Sequence, residues 1–155
     1  MGVLQALARW VAEPVDEPDA ALQDAYVGAV TRARLLARNA ERAPQAHSRD
    51  VLQRLGAAEA ATAARLADVL RSAGGVVSAP TDAPQPPGGL NHWRRLVQLL
   101  DAHRAAEQDA RELSMRFAET YPTVATVFDE FRASEQAQAL ALRALVARAD
   151  ALALD

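Results

Sequence analysis

The sequence predicts an all-α protein, a four-helix bundle built from two helical hairpins. Its composition favours helix, since alanine, leucine, arginine and glutamate are abundant and aromatic residues make up only 5% of the 155 residues. All eight prolines lie between segments of helical periodicity or at their edges. Residues 51–66 also align without a gap with residues 127–142, which indicates two copies of one hairpin. A chain of this length is expected to form one domain.

An amphipathic segment over residues 1–15 comes first and is predicted to be a short helix. Its apolar side consists of Leu4, Leu7, Trp10 and Val11. Such a side should not face water, so we expect it to pack on its own bundle or across a homodimer.

The first hairpin is predicted over residues 19–73. Its first helix runs from about residue 19 to residue 42 at helical spacing. Its second helix is expected to begin near Ser48, which can serve as the N-cap, and to stop at Gly74.

The second hairpin is predicted over residues 91–150. Asn91 can cap a third helix that ends near Thr120. Pro122 opens a fourth helix that ends near Asp150.

The segment 74–90 joins the two hairpins and carries Pro80, Pro84, Pro86 and Pro87, so it is not expected to be helical. A helix of about 25 residues is roughly 38 Å long. Seventeen residues in an extended, proline-rich conformation reach roughly 50 Å. The segment can therefore run the whole length of the bundle as a crossover connection.

Composition excludes several classes of function. The net charge of −3 argues against a nucleic-acid-binding protein, which would carry a clustered basic face. The absence of cysteine excludes disulfides, zinc–thiolate sites and thiol catalysis. No stretch approaches the roughly 20 apolar residues that span a bilayer, and residues 1–12 lack the pattern of a signal peptide, so a cytoplasmic protein without membrane association is expected.

Three glutamates lie on the apolar stripes of the predicted helices. Glu59 and Glu135 occupy equivalent positions in the two repeats, and Glu107 lies on the third helix. A buried carboxylate is costly unless it is paired or bound to a metal ion. Folding each hairpin about its short loop predicts that these glutamates and Ala29 converge at the middle of the bundle.

The chain resembles ferritin-like proteins of the rubrerythrin and bacterioferritin kind over residues 20–150. That resemblance implies a di-metal site, to which each hairpin contributes a glutamate from its first helix and a Glu-x-x-His motif from its second helix. The Asn91-His92-Trp93 entry to the third helix resembles a bacterial branch of these proteins.

Half of the ligands implied by the resemblance are present in this chain, and both histidines are missing. The second hairpin offers Glu107, Glu135 and, at the histidine position, Gln138. The first hairpin offers Ala29, Glu59 and Thr62. The remaining glutamates suit hard divalent cations such as manganese, so iron, manganese or another divalent metal is the alternative to a site without cofactor.

The three glutamates have two further interpretations. They can be paired with basic side chains, since Arg32, Arg104 and His103 lie within a helical turn of the predicted site. They can also turn toward solvent along the seam between helices. The metal-free, paired arrangement is the preferred prediction. His47 and His92 are expected at the surface or as capping residues.

Three functions are compatible with these residues. The preferred hypothesis is a non-catalytic structural or interaction module with an unidentified protein partner, since the histidines are missing. The second is a divalent-metal-binding protein or weak oxidase that uses the glutamates. The third is a small-ligand carrier in which the crossover segment acts as a lid. No catalytic residue is predicted.

Overall fold

The computed structural model describes residues 18–81 and 88–153. Four helices are present, α1 (Pro18–Glu41), α2 (Ala46–Ser72), α3 (His92–Phe117) and α4 (Pro122–Arg148). The prediction of an all-α chain with four helices is confirmed, and the described ranges contain no strand. The amphipathic segment predicted over residues 1–15 lies outside these ranges.

The helices pair as two hairpins. α1 packs along α2, and α3 packs along α4. The hairpins face each other through α1 against α3 and through α2 against α4. Within the described part of the chain, no helix is long and apolar enough to cross a membrane.

Contacts between helix ends fix the direction of each helix. At the start of α3, Arg95 Nη2 donates a hydrogen bond to the carbonyl of Arg42, just beyond the end of α1, at 3.5 Å. At the end of α4, Arg148 Nη1 donates to His47 Nε2 at the start of α2, at 3.1 Å. Since consecutive helices of a hairpin are antiparallel, α1 and α4 run in one direction and α2 and α3 run in the other.

The segment that follows α2 lies along α1. Gln23 Nε2 donates to the carbonyl of Ser78 at 2.7 Å, and the Ser78 amide donates to Gln23 Oε1 at 3.2 Å. Farther along the same helix, Arg34 Nη1 donates to the carbonyl of Pro80 at 3.1 Å. The chain therefore advances from the first half of α1 toward its end, where α3 begins.

Two apolar clusters fill the bundle, one in each half. The cluster at the start of α1 is built largely from Leu22, Leu66, Leu70, Phe117, Phe128 and Phe131. The cluster at the end of α1 is built largely from Leu36, Leu52, Leu96, Leu99, Leu142 and Leu145. Polar side chains separate the two clusters at the middle of the molecule.

Two predicted helix signals are confirmed. Asn91 caps α3, where its side chain accepts a hydrogen bond from the Arg94 amide at 2.9 Å. Gly74 ends α2 with a φ of 85°, which an L side chain rarely adopts. The Gly75 amide then donates to the carbonyl of Leu70 at 2.9 Å, so the last turn of the helix is closed.

Other boundary predictions are wrong by a few residues. α2 begins at Ala46 with Gln45 as the N-cap residue, so Ser48 is not the cap but lies buried within the first turn. α3 ends at Phe117, before Thr120. Caps compete with the packing of neighbouring segments, and that packing is not visible in a local sequence pattern.

The surface position expected for His92 is wrong. It is the first residue of α3, but its side chain is buried rather than exposed. His47 is exposed, as predicted. The two histidines have similar local sequence contexts at helix starts, so only the contacts between segments distinguish them.

Candidate functional site

A layer of polar side chains crosses the bundle between its two apolar clusters. Arg32 comes from α1, Glu59 from α2, His103 from α3, and Glu135 with Gln138 from α4. The side chains of Glu59, His103 and Glu135 have no exposed surface, and Gln138 is also buried. The Arg32 side chain is 12% exposed. Every helix thus contributes to one group, which we call the polar layer.

Helical periodicity explains why the two carboxylates point inward. On α2, Glu59 continues a buried stripe formed by Leu52, Gly56, Ala63 and Leu66. On α4, Glu135 continues a buried stripe formed by Phe128, Phe131, Gln138 and Leu142. Spacings of three and four residues keep these positions on one face of each helix.

Both oxygens of Glu59 accept hydrogen bonds. Arg32 Nε donates to Oε1 at 2.9 Å, and Gln138 Nε2 donates to Oε2 at 2.5 Å. The first bond lies within one hairpin, whereas the second connects the two hairpins. Donors on both oxygens favour the ionised form of this carboxylate.

Glu135 is held by the imidazole of His103. Nδ1 of His103 lies 2.7 Å from Glu135 Oε2, and either the ring N–H or a protonated carboxyl group donates this hydrogen bond. On the other side, Arg32 Nη2 lies 3.6 Å from Glu135 Oε1. The guanidinium of Arg32 therefore contacts both carboxylates, and it also lies 5.6 Å from the ring centroid of Phe131.

Burial dominates the titration of these groups. It raises the pKa of Glu59 to about 7, with a further increase from the charge of Glu135 and an opposing effect of Arg32. Burial likewise raises the pKa of Glu135, again opposed by Arg32. Burial lowers the pKa of His103 to about 4, so its imidazole is neutral at pH 7.

These pKa shifts allow the charges of the polar layer to be counted. With a neutral imidazole, two carboxylates would face the single positive charge of Arg32 and leave one negative charge in excess. One proton shared by the pair removes that excess. Because the two carboxylates interact with the same arginine, they titrate as a pair and not as independent groups.

The polar layer also contains a set of atoms that could hold a metal ion. One ligand atom from each of Glu59, His103 and Glu135 lies within 4.8 Å of the other two. Two carboxylate oxygens and one imidazole nitrogen form a donor set suited to iron, manganese or zinc. His103 Nε2 is buried and has no hydrogen-bond partner. A bound cation would compete with Arg32 for both carboxylates.

The structure brings together only some of the predicted site residues. Glu59 and Glu135 come together, whereas Glu107 is half-buried and lies outside the group of potential ligands. Its negative charge still contributes to the raised pKa of Glu135. Ala29 is fully buried in the apolar cluster at the start of α1, one turn before Arg32. Thr62 lies beside the layer, with its hydroxyl 3.2 Å from that of Ser134.

The basic side chains that contact the buried glutamates differ in part from those predicted. His103 contacts Glu135 on the neighbouring helix, and not Glu107 one turn away on its own helix. Arg32 is a partner as predicted, but Arg104 is exposed. The spacing on α3 places His103 and Glu107 on nearly one face, so only the packing of α3 against α4 determines which of them enters the layer.

A groove between α1 and α3 leads from the surface toward the polar layer. Its volume is about 500 Å³, and its lining includes Gly28, Arg32 and Phe131. The exposed part of the Arg32 side chain therefore borders solvent through this groove.

Comparisons of the chain with protein-family models, with curated proteins and with solved structures give no match. The chemistry of the polar layer is therefore the guide to function.

Proposed function

We propose that this chain is a ferritin-like four-helix module without a catalytic centre, which serves as a structural or interaction protein. The observation that carries the proposal is the position of Arg32, whose guanidinium contacts both Glu59 and Glu135. The arginine supplies positive charge at the place where the resemblance implies metal ions. The layer then stabilises the packing of the two hairpins.

The directions of the helices support the ferritin-like part of the proposal. α1 and α4 run in one direction and α2 and α3 in the other, and residues 78–80 lie along α1. Two tight hairpins joined by a long crossover are the ferritin-like arrangement.

Removing the arginine tests the structural role. Arg32→Met keeps an apolar stem but leaves two buried carboxylates without their cation. We expect a loss of about 3–5 kcal/mol in the free energy of unfolding, measured with urea. Arg65→Met is the matched control, because Arg65 forms an exposed pair with Glu130 and should cost less than about 1 kcal/mol. Equal stability of the two variants would contradict the proposal.

A second candidate function is binding of one divalent cation by Glu59, His103 and Glu135. The observation that favours it is the convergence of three ligand atoms, together with the unpartnered Nε2 of His103. A neutral imidazole is the form that binds metal, so the lowered pKa of His103 fits this role. In this candidate Arg32 would have to leave the carboxylates when the ion enters.

Metal titration separates the two candidates. The structural proposal predicts that Mn²⁺, Fe²⁺ or Zn²⁺ leaves the melting temperature of the protein unchanged. The metal-binding candidate predicts an increase through linkage, which disappears in Glu135→Gln and grows in Arg32→Met. Glu130→Gln on the exposed face of α4 is the control for non-specific binding. A stoichiometric ion in the purified protein, retained by the control but not by Glu135→Gln, would overturn the structural proposal.

A further inference from the structure

A second groove lies between α2 and α4, on the face of the bundle opposite the groove between α1 and α3. Its volume is about 440 Å³, within the range of about 300–1,000 Å³ that is typical of sites for small molecules. Its walls carry six apolar side chains, Val51, Leu55, Ala58, Ala141, Ala144 and Leu145. From His47 to Ala58 the groove follows α2 over about 17 Å. It therefore offers an elongated apolar surface.

The polar side chains of this groove are all basic. They are His47, Arg54 and Arg148, and the described residues that line the groove include no carboxylate. Arg148 Nη1 donates to His47 Nε2 at 3.1 Å, and Arg54 Nε donates to the carbonyl of Asp50, one turn nearer the start of α2, at 3.4 Å. Both arginines are thus bonded to neutral acceptors, and within the described part of the chain neither forms an ion pair. One end of the groove therefore carries two positive charges without a counter-ion from the chain.

The start of α2 adds to the positive potential at this end. The N-cap residue Gln45 makes no side-chain hydrogen bond to the helix, and the first turn contains no acidic residue. The partial positive charge of the helix start is therefore not compensated by the side chains of this turn. His47 lies in the same turn, and because its Nε2 accepts a hydrogen bond from Arg148, its Nδ1 carries the proton and is a donor.

We propose that the groove between α2 and α4 binds a free fatty acid of medium length. The carboxylate lies between Arg148 and Arg54 at the start of α2, where guanidinium groups form charge-assisted hydrogen bonds with it. The hydrocarbon chain runs along the groove toward Ala58 and is removed from water. One basic end and one apolar stretch match one carboxylate and one unbranched chain. The site goes beyond the structural role proposed above and shares no residue with the polar layer.

Calorimetric titration with decanoate tests the ligand class. We expect saturable binding of one molecule per chain at concentrations below those at which decanoate forms micelles. Decyltrimethylammonium carries a positive charge on the same hydrocarbon chain and should not bind, because it would face the two arginines. Acetate should not bind measurably, because it lacks the apolar chain. Absence of decanoate binding, or equal binding of the two amphiphiles, would overturn the proposal.

Charge variants test the position of the carboxylate. Arg148→Gln and Arg54→Gln should each weaken decanoate binding about tenfold, because each removes a hydrogen bond to a charged group. Arg143→Gln is the matched control, since Arg143 is exposed on α4 and does not line the groove. Equal affinities of Arg148→Gln, Arg54→Gln and the control would overturn the proposal.

Filling the groove tests the position of the hydrocarbon chain. Ala144→Phe should abolish decanoate binding, whereas Ala60→Phe, in the groove between α1 and α2, should leave it unchanged. Circular dichroism checks that both variants keep the helical fold. Unchanged binding in Ala144→Phe would overturn the proposal. A parent dimer that Ala144→Phe dissociates, seen by light scattering, would assign the groove to a second copy of the chain and overturn it as well.

Discussion

Glu59 and Glu135 compete for one arginine at the centre of the bundle. Each is fully buried, and Arg32 lies 2.9 Å from an oxygen of Glu59 and 3.6 Å from an oxygen of Glu135. Burial of two carboxylates against one fixed positive charge favours the uptake of a proton. The neutral imidazole of His103 offers a hydrogen bond but no compensating charge. Stability should therefore depend on pH near neutrality.

Glu59 gives this dependence a definite sign. Its pKa is 4.5 when unperturbed and about 7 in the folded protein, so between these values the folded state holds a proton that the unfolded state has released. The contribution of Glu59 to the free energy of unfolding should therefore fall as the pH rises from 5 to 8. His103 acts in the opposite direction, because its pKa falls from 6.5 to about 4 and its contribution is lost as the pH falls through that interval.

Glu59→Gln isolates the first contribution. The variant should be nearly as stable as the parent at pH 5 and should become the more stable of the two as the pH rises to 8. Urea unfolding at several pH values measures this difference, with Glu130→Gln on the exposed surface as the control. A difference that stays constant over this range would show that Glu59 does not share in proton uptake.

At the scale of the helices, two glycines have different roles. Gly28 lies inside α1, four residues before Arg32, and Gly56 lies inside α2, three residues before Glu59. A Cβ atom added at Gly56 would lie 3.6 Å from Leu36 Cβ, which is an ordinary van der Waals contact. A Cβ atom at Gly28 would lie 3.1 Å from Arg32 Nη1, and its three nearest neighbours all belong to the Arg32 guanidinium. Alanine would therefore fit at Gly56, where α1 and α2 approach closely, whereas Gly28 provides space for the guanidinium of Arg32.

Alanine substitutions should separate these roles. Gly56→Ala should stabilise the protein by about 0.5–1 kcal/mol, because alanine restricts the unfolded chain and fits the available space. Gly28→Ala should gain less, because its methyl group crowds Arg32. In an Arg32→Met background that difference between the two substitutions should shrink. Denaturant unfolding of the two parents and the four variants measures these differences, and a destabilising Gly56→Ala would contradict the contact geometry.

For the whole molecule, the path of residues 73–91 determines how the hairpins are joined. α2 ends at the end of the bundle where α1 starts, while Arg95 at the start of α3 contacts the carbonyl of Arg42 at the opposite end. A 27-residue helix such as α2 is about 40 Å long. The connection has to cover a comparable distance.

Shortening this connection tests the arrangement. Replacing residues 76–89 by about four glycine and serine residues leaves too little chain, since each residue spans at most about 3.6 Å. We expect the parent bundle to be lost, either through domain-swapped oligomers or through loss of cooperative melting, measured by light scattering and circular dichroism. A glycine-serine linker of the original length should keep the mass and the melting of the parent. A short-linker variant with the mass and melting of the parent would place α2 and α3 side by side at one end.

The sequence by itself determined the helices and the inward direction of Glu59 and Glu135. Both follow from local chemistry, because helical spacing places a residue on a face and proline ends a helix wherever the chain folds. The tertiary structure alone decided which side chains contact these two carboxylates. Ala29 and Arg32 lie one turn apart on α1, as do His103 and Glu107 on α3. A shift of one turn between packed helices exchanges the members of each pair, and packing across the whole interface sets that shift, with no local signal in the sequence.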